Sequence, residues 1–218
     1  MEIRYLGHAC FRLTGQDGTT LVIDPYQAGG FGGAIRYRPI PEPADAVLVT
    51  HAHADHNHAQ GVPGPHQLIT TPGSHQVKSA RIVGLADYHD AEQGTKRGRI
   101  VIFNVELDGV RVCHLGDLGR VITASEAAPL GRIDVLLVPV GGTFTIDAQG
   151  ATAVVDNLQP RVVIPMHYQT GSTTLPLAPV DDFLQGKPRV RRLSGSAYSV
   201  TPDTLPAERE IVVLQPEL

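Results

Sequence analysis

Four histidines and one aspartate fall within the eight residues His51–His58 of the stretch "VTHAHADHNH". Imidazole and carboxylate are common ligands of divalent metals, and a histidine nitrogen must reach about 2.0–2.1 Å from the ion. His51 and His53 are two apart, as are His53 and Asp55, and His56 follows at once. In an extended loop, residues two apart project to one side, and a bend turns the next pair towards a neighbouring position. The segment therefore suits two adjacent ions, with His51 and His53 at one and Asp55 and His56 at the other. A surface histidine tract is the plain alternative. The regular spacing directly behind the apolar "AVLVT" weighs against it. His58 lies outside that spacing and reads as an ordinary loop histidine.

Such ligands need rigid elements behind them. "AVLV", residues 46–49, is a continuous apolar run suited to a strand covered on both faces. Before it, "IRYLGHACFRLT" and "TTLVID" are β-rich and joined by an Asp17-Gly18 turn, and Asp24-Pro25 stops the second run. Residues 26–43 are rich in Gly, Pro and aromatics and read as a long functional loop. "LITT" and "RIVGLADYH" are further strands. "RIVIFNVELDGVRVCHLGD" is a hairpin turning at Asp108-Gly109. "ASEAAPL" and "DAQGATAVVDNL" have helical composition, each followed by a buried-type strand, "DVLLVPV" and "RVVIPM". "PVDDFLQ" reads as a short helix and "REIVVLQ" as a last strand. Antiparallel β early and β/α alternation later predict one α/β domain over residues 1–218, with two mixed sheets face to face and helices outside.

Composition narrows the function. The 218 residues carry a net charge of −4 and are 42% hydrophobic, ordinary values for a globular chain. That balance gives no long-range attraction to nucleic acid or to an anionic membrane. No basic-then-apolar segment opens the chain, and a cytoplasmic location is expected. Cys10 and Cys113 fit no metal motif and read as buried thiols.

"THAHADH" matches the T-H-x-H-x-D-H signature of the metallo-β-lactamase superfamily, and other motifs follow in order: "LVIDP", "ADYHD", "HLGDLG" and "VVIPMHY". The likeness runs from the first strand to about Tyr168. "IRYLGHACFRL", "HLGDLG", "PVGG" and "IPMHY" look closest to the L-ascorbate-6-phosphate lactonase-like branch. The resemblance implies an αββα sandwich with its site at one sheet edge. It implies one ion on His51, His53 and His89, a second on Asp55, His56 and His167, and Asp117 as the bridging carboxylate. Asp117 and Asp55 are then the expected catalytic carboxylates. The expected cofactors are two divalent ions per chain, zinc first, with manganese or iron as alternatives.

Three further residues are expected to support the ligands. Asp24 is expected to bond a ligand's free ring nitrogen. His114 competes with His89 for a ligand position, but it lies inside the hairpin strand and is expected behind the site. His8 could orient a site residue, touch substrate, or sit in the core with a backbone partner. His66 and His75 read as surface residues.

Two divalent ions lower the pKa of a shared water, so hydroxide becomes available near neutral pH for attack on an ester, lactone, amide or phosphodiester. No G-x-S-x-G elbow and no phosphate-binding G-x-x-x-x-G-K-[ST] loop is present, and "AGGFGG" reads as a flexible rim. A hydrolase of a small metabolite, a lactone or phosphorylated ester, is the leading expectation. A phosphodiesterase or nuclease, a di-iron redox protein and a non-catalytic metal binder are the alternatives. A small, anionic substrate is expected, and self-association is left open. Arg36, Tyr37 and Arg38 in "AIRYRP" are the expected anion-binding residues, ahead of Lys96, Arg97 and Arg99 in "TKRGR".

Overall fold

Leu21 and Ile23 face one side of their strand and Val22 the other, and the same alternation separates Ala46 and Leu48 from Val47. Both sides are buried, so these strands lie in an inner layer. In the computed structural model, which describes residues 1–218, they belong to a six-stranded sheet. Its strands are β1 (Glu2–Gly7), β2 (Cys10–Thr14), β3 (Thr20–Ile23), β4 (Ala46–Leu48), β5 (Gln67–Ile69) and β13 (Ala197–Ser199), in the order β13-β1-β2-β3-β4-β5. The β1–β2–β3 meander is antiparallel, and β3–β4–β5 is parallel.

The second sheet has eight strands in the order β12-β14-β11-β10-β9-β8-β7-β6. They are β6 (Gly73–Val77), β7 (Ala80–Tyr88), β8 (Arg99–Leu107), β9 (Val110–His114), β10 (Val135–Pro139), β11 (Val162–Met166), β12 (Val190–Arg192) and β14 (Glu210–Val213). Strands β6 to β9 pair antiparallel, and β9-β10-β11-β14-β12 pair parallel. The expected Asp108-Gly109 turn closes β8–β9 with both residues at positive φ, 52° and 76°. A core of 52 buried residues fills the space between and around the sheets.

The helical layer is thin. The Ala148–Leu158 helix, capped by Asp147, buries Ala151, Val154 and Val155, and the short Val180–Leu184 helix packs beside it. On the outer face of the six-stranded sheet a non-helical layer takes the place of long helices. Tyr26, Ile35, Tyr37 and Ile40 of the long loop cluster there with Leu6, Cys10, Val22 and Val47. Strands β6, β12 and β13 were not expected from the sequence. They are short, partly exposed and carry no apolar run.

Candidate metal centre

Strand β4 ends at Leu48, and Thr50 begins the ligand loop. Thr50 N–H and Oγ1–H donate to Asp24 Oδ1 and Oδ2 at 2.7 and 2.6 Å. Asp24 is fully buried at the end of β3 with a left-handed φ of 50°. Its Oδ2 also accepts from His56 Nδ1 at 2.8 Å. Because the Thr50 hydroxyl has given its only proton to Asp24, it accepts from His51 Nδ1, 3.0 Å away. Both imidazoles thus carry a proton on Nδ1, and Nε2 is the atom each ring turns towards the cluster. Neither Nε2 has a hydrogen-bond partner, although both are buried. The role expected of Asp24 fits this geometry.

Asp117 sits among the histidines. Its carboxylate lies 3.2 Å from His56 Nε2, 3.3 Å from His89 Nε2, 3.4 Å from His167 Nε2 and 3.9 Å from His51 Nε2. Two close backbone approaches bring these residues together. A Cβ on Gly119 would lie 2.3 Å from the His89 carbonyl carbon, and one on Gly141 would lie 2.2 Å from the His167 carbonyl oxygen. Only glycine permits either contact.

The potential ligand atoms form three groups, each within 4.8 Å: His51/His53/His89, His8/Asp55/His56/His167, and Asp24/His51/His56, which links the first two through the Asp24 carboxylate. Asp117 touches members of the first two. Besides the Nε2 atoms of His51 and His56, both nitrogens of His167 are buried without a partner. Each such orphan costs about 1–3 kcal/mol, a cost that coordination removes. Burial pushes His51 and His167 down to about 3, so both are neutral at pH 7. The set therefore fits divalent metal: imidazole nitrogens, those of His51 and His167 already neutral, converge around ionised carboxylates. All seven expected ligands converge, and His53 is the exposed member at the mouth.

His8 joins the second group more closely than expected. It is fully buried, its Nε2 donates to Asp55 Oδ2 at 3.0 Å, and its ring centroid is 4.2 Å from that of His167. Its carbonyl accepts from His167 N–H and from Tyr5 Oη. It orients Asp55 and anchors His167. His8→Ala should weaken binding of the second ion by roughly 10–100-fold and leave the first nearly unchanged, as read by competitive metal titration. Equal loss at both sites would remove this role.

His114 has no nitrogen free. Nε2–H donates to the Ala9 carbonyl at 2.8 Å, and Nδ1 accepts from Gly116 N–H at 3.0 Å. It braces the backbone leading to Asp117 and touches no ligand side chain, while His89 faces Asp117. His66 and His75 bond only backbone carbonyls.

The expected anion loop is placed elsewhere. Tyr37 is buried, with its hydroxyl on Thr170 Oγ1, and it supports the loop from beneath. Arg36 bonds the Gly33 carbonyl and Arg38 the Glu217 carbonyl. None of the three lines the cavity beside the histidines. That cavity, about 230 Å³, is lined by Phe31, His53, Asp55, His89, Arg97, Asp117, Phe144 and Leu175. Proximity in sequence to the metal motif misled here: the apolar residues of the 26–43 loop fold onto the sheet and carry the arginines away. Phe31, Phe144 and Leu175 went unnoticed in the sequence. The lone Phe among glycines in "GGFGG" was the available signal.

The profile of the family described as "Beta-lactamase superfamily domain" matches residues 2–167. The chain belongs to the metallo-β-lactamase superfamily. A Thermococcus onnurineus protein named UPF0173 metal-dependent hydrolase is 31% identical over 195 residues, covering 78% of this chain and 85% of its own. A Thermococcus kodakarensis protein of the same description is 30% identical, covering 99% and 97%. Among solved structures, a Thermotoga maritima protein described as a candidate zinc-dependent hydrolase of this superfamily superposes with a TM-score of 0.79 at 38% identity, covering 98% and 97%. This superfamily member is thus a metal-dependent hydrolase built on two mixed sheets.

Proposed function

We propose that this chain hydrolyses an ester-type bond, a lactone or a phosphorylated ester, of a small substrate at a dinuclear centre, with zinc as the preferred metal. The observation that carries the reading is the set of buried, unpartnered Nε2 atoms of His51, His56 and His167 converging on Asp117. His51, His53 and His89 would hold one ion, Asp55, His56 and His167 the other, and Asp117 would contact both. When bound, such ions lower the pKa of water and polarise the substrate oxygen.

The chain's own residues do the rest. Asp24 and Thr50 fix the proton on Nδ1 of His56 and His51, so neither ring can rotate without losing a buried hydrogen bond. Asp55 and Asp117 both line the cavity. Burial would raise their carboxyls, but the surrounding imidazoles hold both well below the ordinary range, so both are ionised at neutral pH. Asp55, held by His8, would accept a hydrogen bond from the attacking water and orient it. Phe31, Phe144 and Leu175 limit access of bulk water.

The cavity is smaller than the roughly 300–1,000 Å³ typical of drug-sized ligands, which favours a small metabolite over a polymer. No helix is long and apolar enough to cross a membrane, and a cytoplasmic setting with no nucleic-acid partner completes the proposal. The likeness to lactonase-like sequences supports lactones as the first substrates to try. The test is a panel of lactones, thioesters, phosphodiesters and β-lactams on metal-reconstituted protein. Hydrolysis of lactones or esters is expected, abolished by chelation and restored by zinc. Turnover confined to phosphodiesters, or surviving complete metal removal, would overturn the proposal.

A further inference from the structure

Arg97 is a cation on the cavity wall with no carboxylate partner. Its neighbour Lys96 pairs with Glu92 at 2.6 Å. Arg120, on the far side of Tyr88, is neutralised by Asp87 and Glu126. The Arg97 side chain makes one hydrogen bond, from Nη2 to the Thr143 carbonyl at 3.3 Å, and its guanidinium lies 5.0 Å over the Phe144 ring. Stacking of this kind holds the planar fork in one orientation and leaves its other N–H groups free.

The backbone beneath it is also fixed. Asp90 follows His89 and is buried. Its two oxygens accept from four backbone N–H groups of the loop, those of Glu92, Gly94, Lys96 and Arg97, at 2.7–3.0 Å. Such a cage ties the position of Arg97 to that of His89, so the cation keeps a set relation to the histidine cluster. Phe31, on its glycine turn and 53% exposed, lines the same cavity. Phe31, Phe144 and Leu175 give the cavity three apolar surfaces, and Arg97 is its only cation.

We propose that Arg97, stacked on Phe144, is the anion anchor of the substrate site. The substrate then carries one oxyanionic group, carboxylate or phosphoryl, on a short apolar body, with the scissile bond at the His53/Asp55/Asp117 side. This rests on the hydrolase reading only for the position of that bond.

The test measures binding rather than turnover, on zinc-loaded protein, by calorimetry. The probes are phenylacetate, phenylphosphonate and the neutral 2-phenylethanol. The parent should bind at least one anion more tightly than the alcohol. Arg97→Gln should weaken that anion by about 10-fold, the low end for a hydrogen bond to a charged group, without changing the alcohol. Arg97→Lys should restore part of the loss. Phe144→Ala should weaken all three probes. Zinc content of Arg97→Gln should match the parent, which shows that the cluster is intact. Whichever anion depends on Arg97 names the substrate group. An anion preference that is absent, or that survives Arg97→Gln, overturns the anchor. A failed hydrolase panel with Arg97-dependent binding would instead count against the hydrolytic reading alone.

Discussion

Replacing Asp117 by Asn should reduce turnover by more than the roughly 10–100-fold typical of losing an outer hydrogen-bond partner. The amide keeps the size of the side chain but loses the charge that faces four imidazoles at 3.2–3.9 Å. The Asp117 carboxylate lies beside Nε2 atoms of both ligand groups, so its loss should weaken both ions rather than one. The fold should tolerate the change, because the carboxylate lies in a loop beyond β9 and contributes no side-chain packing to the sheets. The check is turnover, zinc stoichiometry and thermal unfolding on the same samples. Unchanged turnover would remove Asp117 from the centre. Loss of folding without metal would make it a structural residue.

Removing metal should lower the melting temperature, and the gap should widen as pH rises. Ligand at 100 times its Kd stabilises the native state by about 2.7 kcal/mol. For a chain of this size that is a rise of about 5–11 °C. The pH sign follows from His56. Burial alone would lower its pKa, but Asp117, Asp55 and Asp24 outweigh burial and hold it well above the ordinary histidine value. In the metal-free protein the protonated ring therefore contributes stability that is complete below about pH 6.5 and lost as pH rises through the raised value. Metal must displace that proton, whereas His51 and His167 are already neutral. About one proton should be released from His56 at neutral pH, measurable by calorimetry in buffers of different ionisation enthalpy. A gap in melting temperature that shrinks between pH 6 and pH 8 would show that His56 is not displaced.

The candidate ligand cluster was legible because it lies in short motifs at strand ends. In "AVLVTHAHADH" the strand that positions the ligands and the ligands themselves are contiguous, and a local pattern suffices. Asp24 was legible for the same reason, at the stop of "LVIDP". The preference for His89 over His114 also agrees with the geometry. The hairpin places His114 with Ala9, and both ring nitrogens are spent on backbone.

The cavity wall was less legible, because it is assembled from residues far apart in sequence. Arg97 ranked second among the anion-binding candidates, because "TKRGR" read more readily as solvated charge than "AIRYRP". What sets it apart is the Asp90 cage and the ring of Phe144, and neither leaves a periodic trace. Arg36 and Arg38 looked better because they flank an aromatic residue. That residue, Tyr37, is a core residue, and its burial turns the loop so that both arginines bond backbone carbonyls. The non-helical cover of the six-stranded sheet was hidden for a similar reason. Tyr26, Ile35, Tyr37 and Ile40 have no helical or strand period, so their shared face appears only in three dimensions.

Elemental analysis of protein reconstituted with excess zinc and freed of unbound metal bears most directly on the proposal of a dinuclear centre. Two ions per chain are expected, falling to one in His89→Ala and also to one in His167→Ala, because each variant empties a different group. A ceiling of one ion in the parent, at any zinc concentration, would contradict the two-site arrangement of His51/His53/His89 and Asp55/His56/His167 around Asp117.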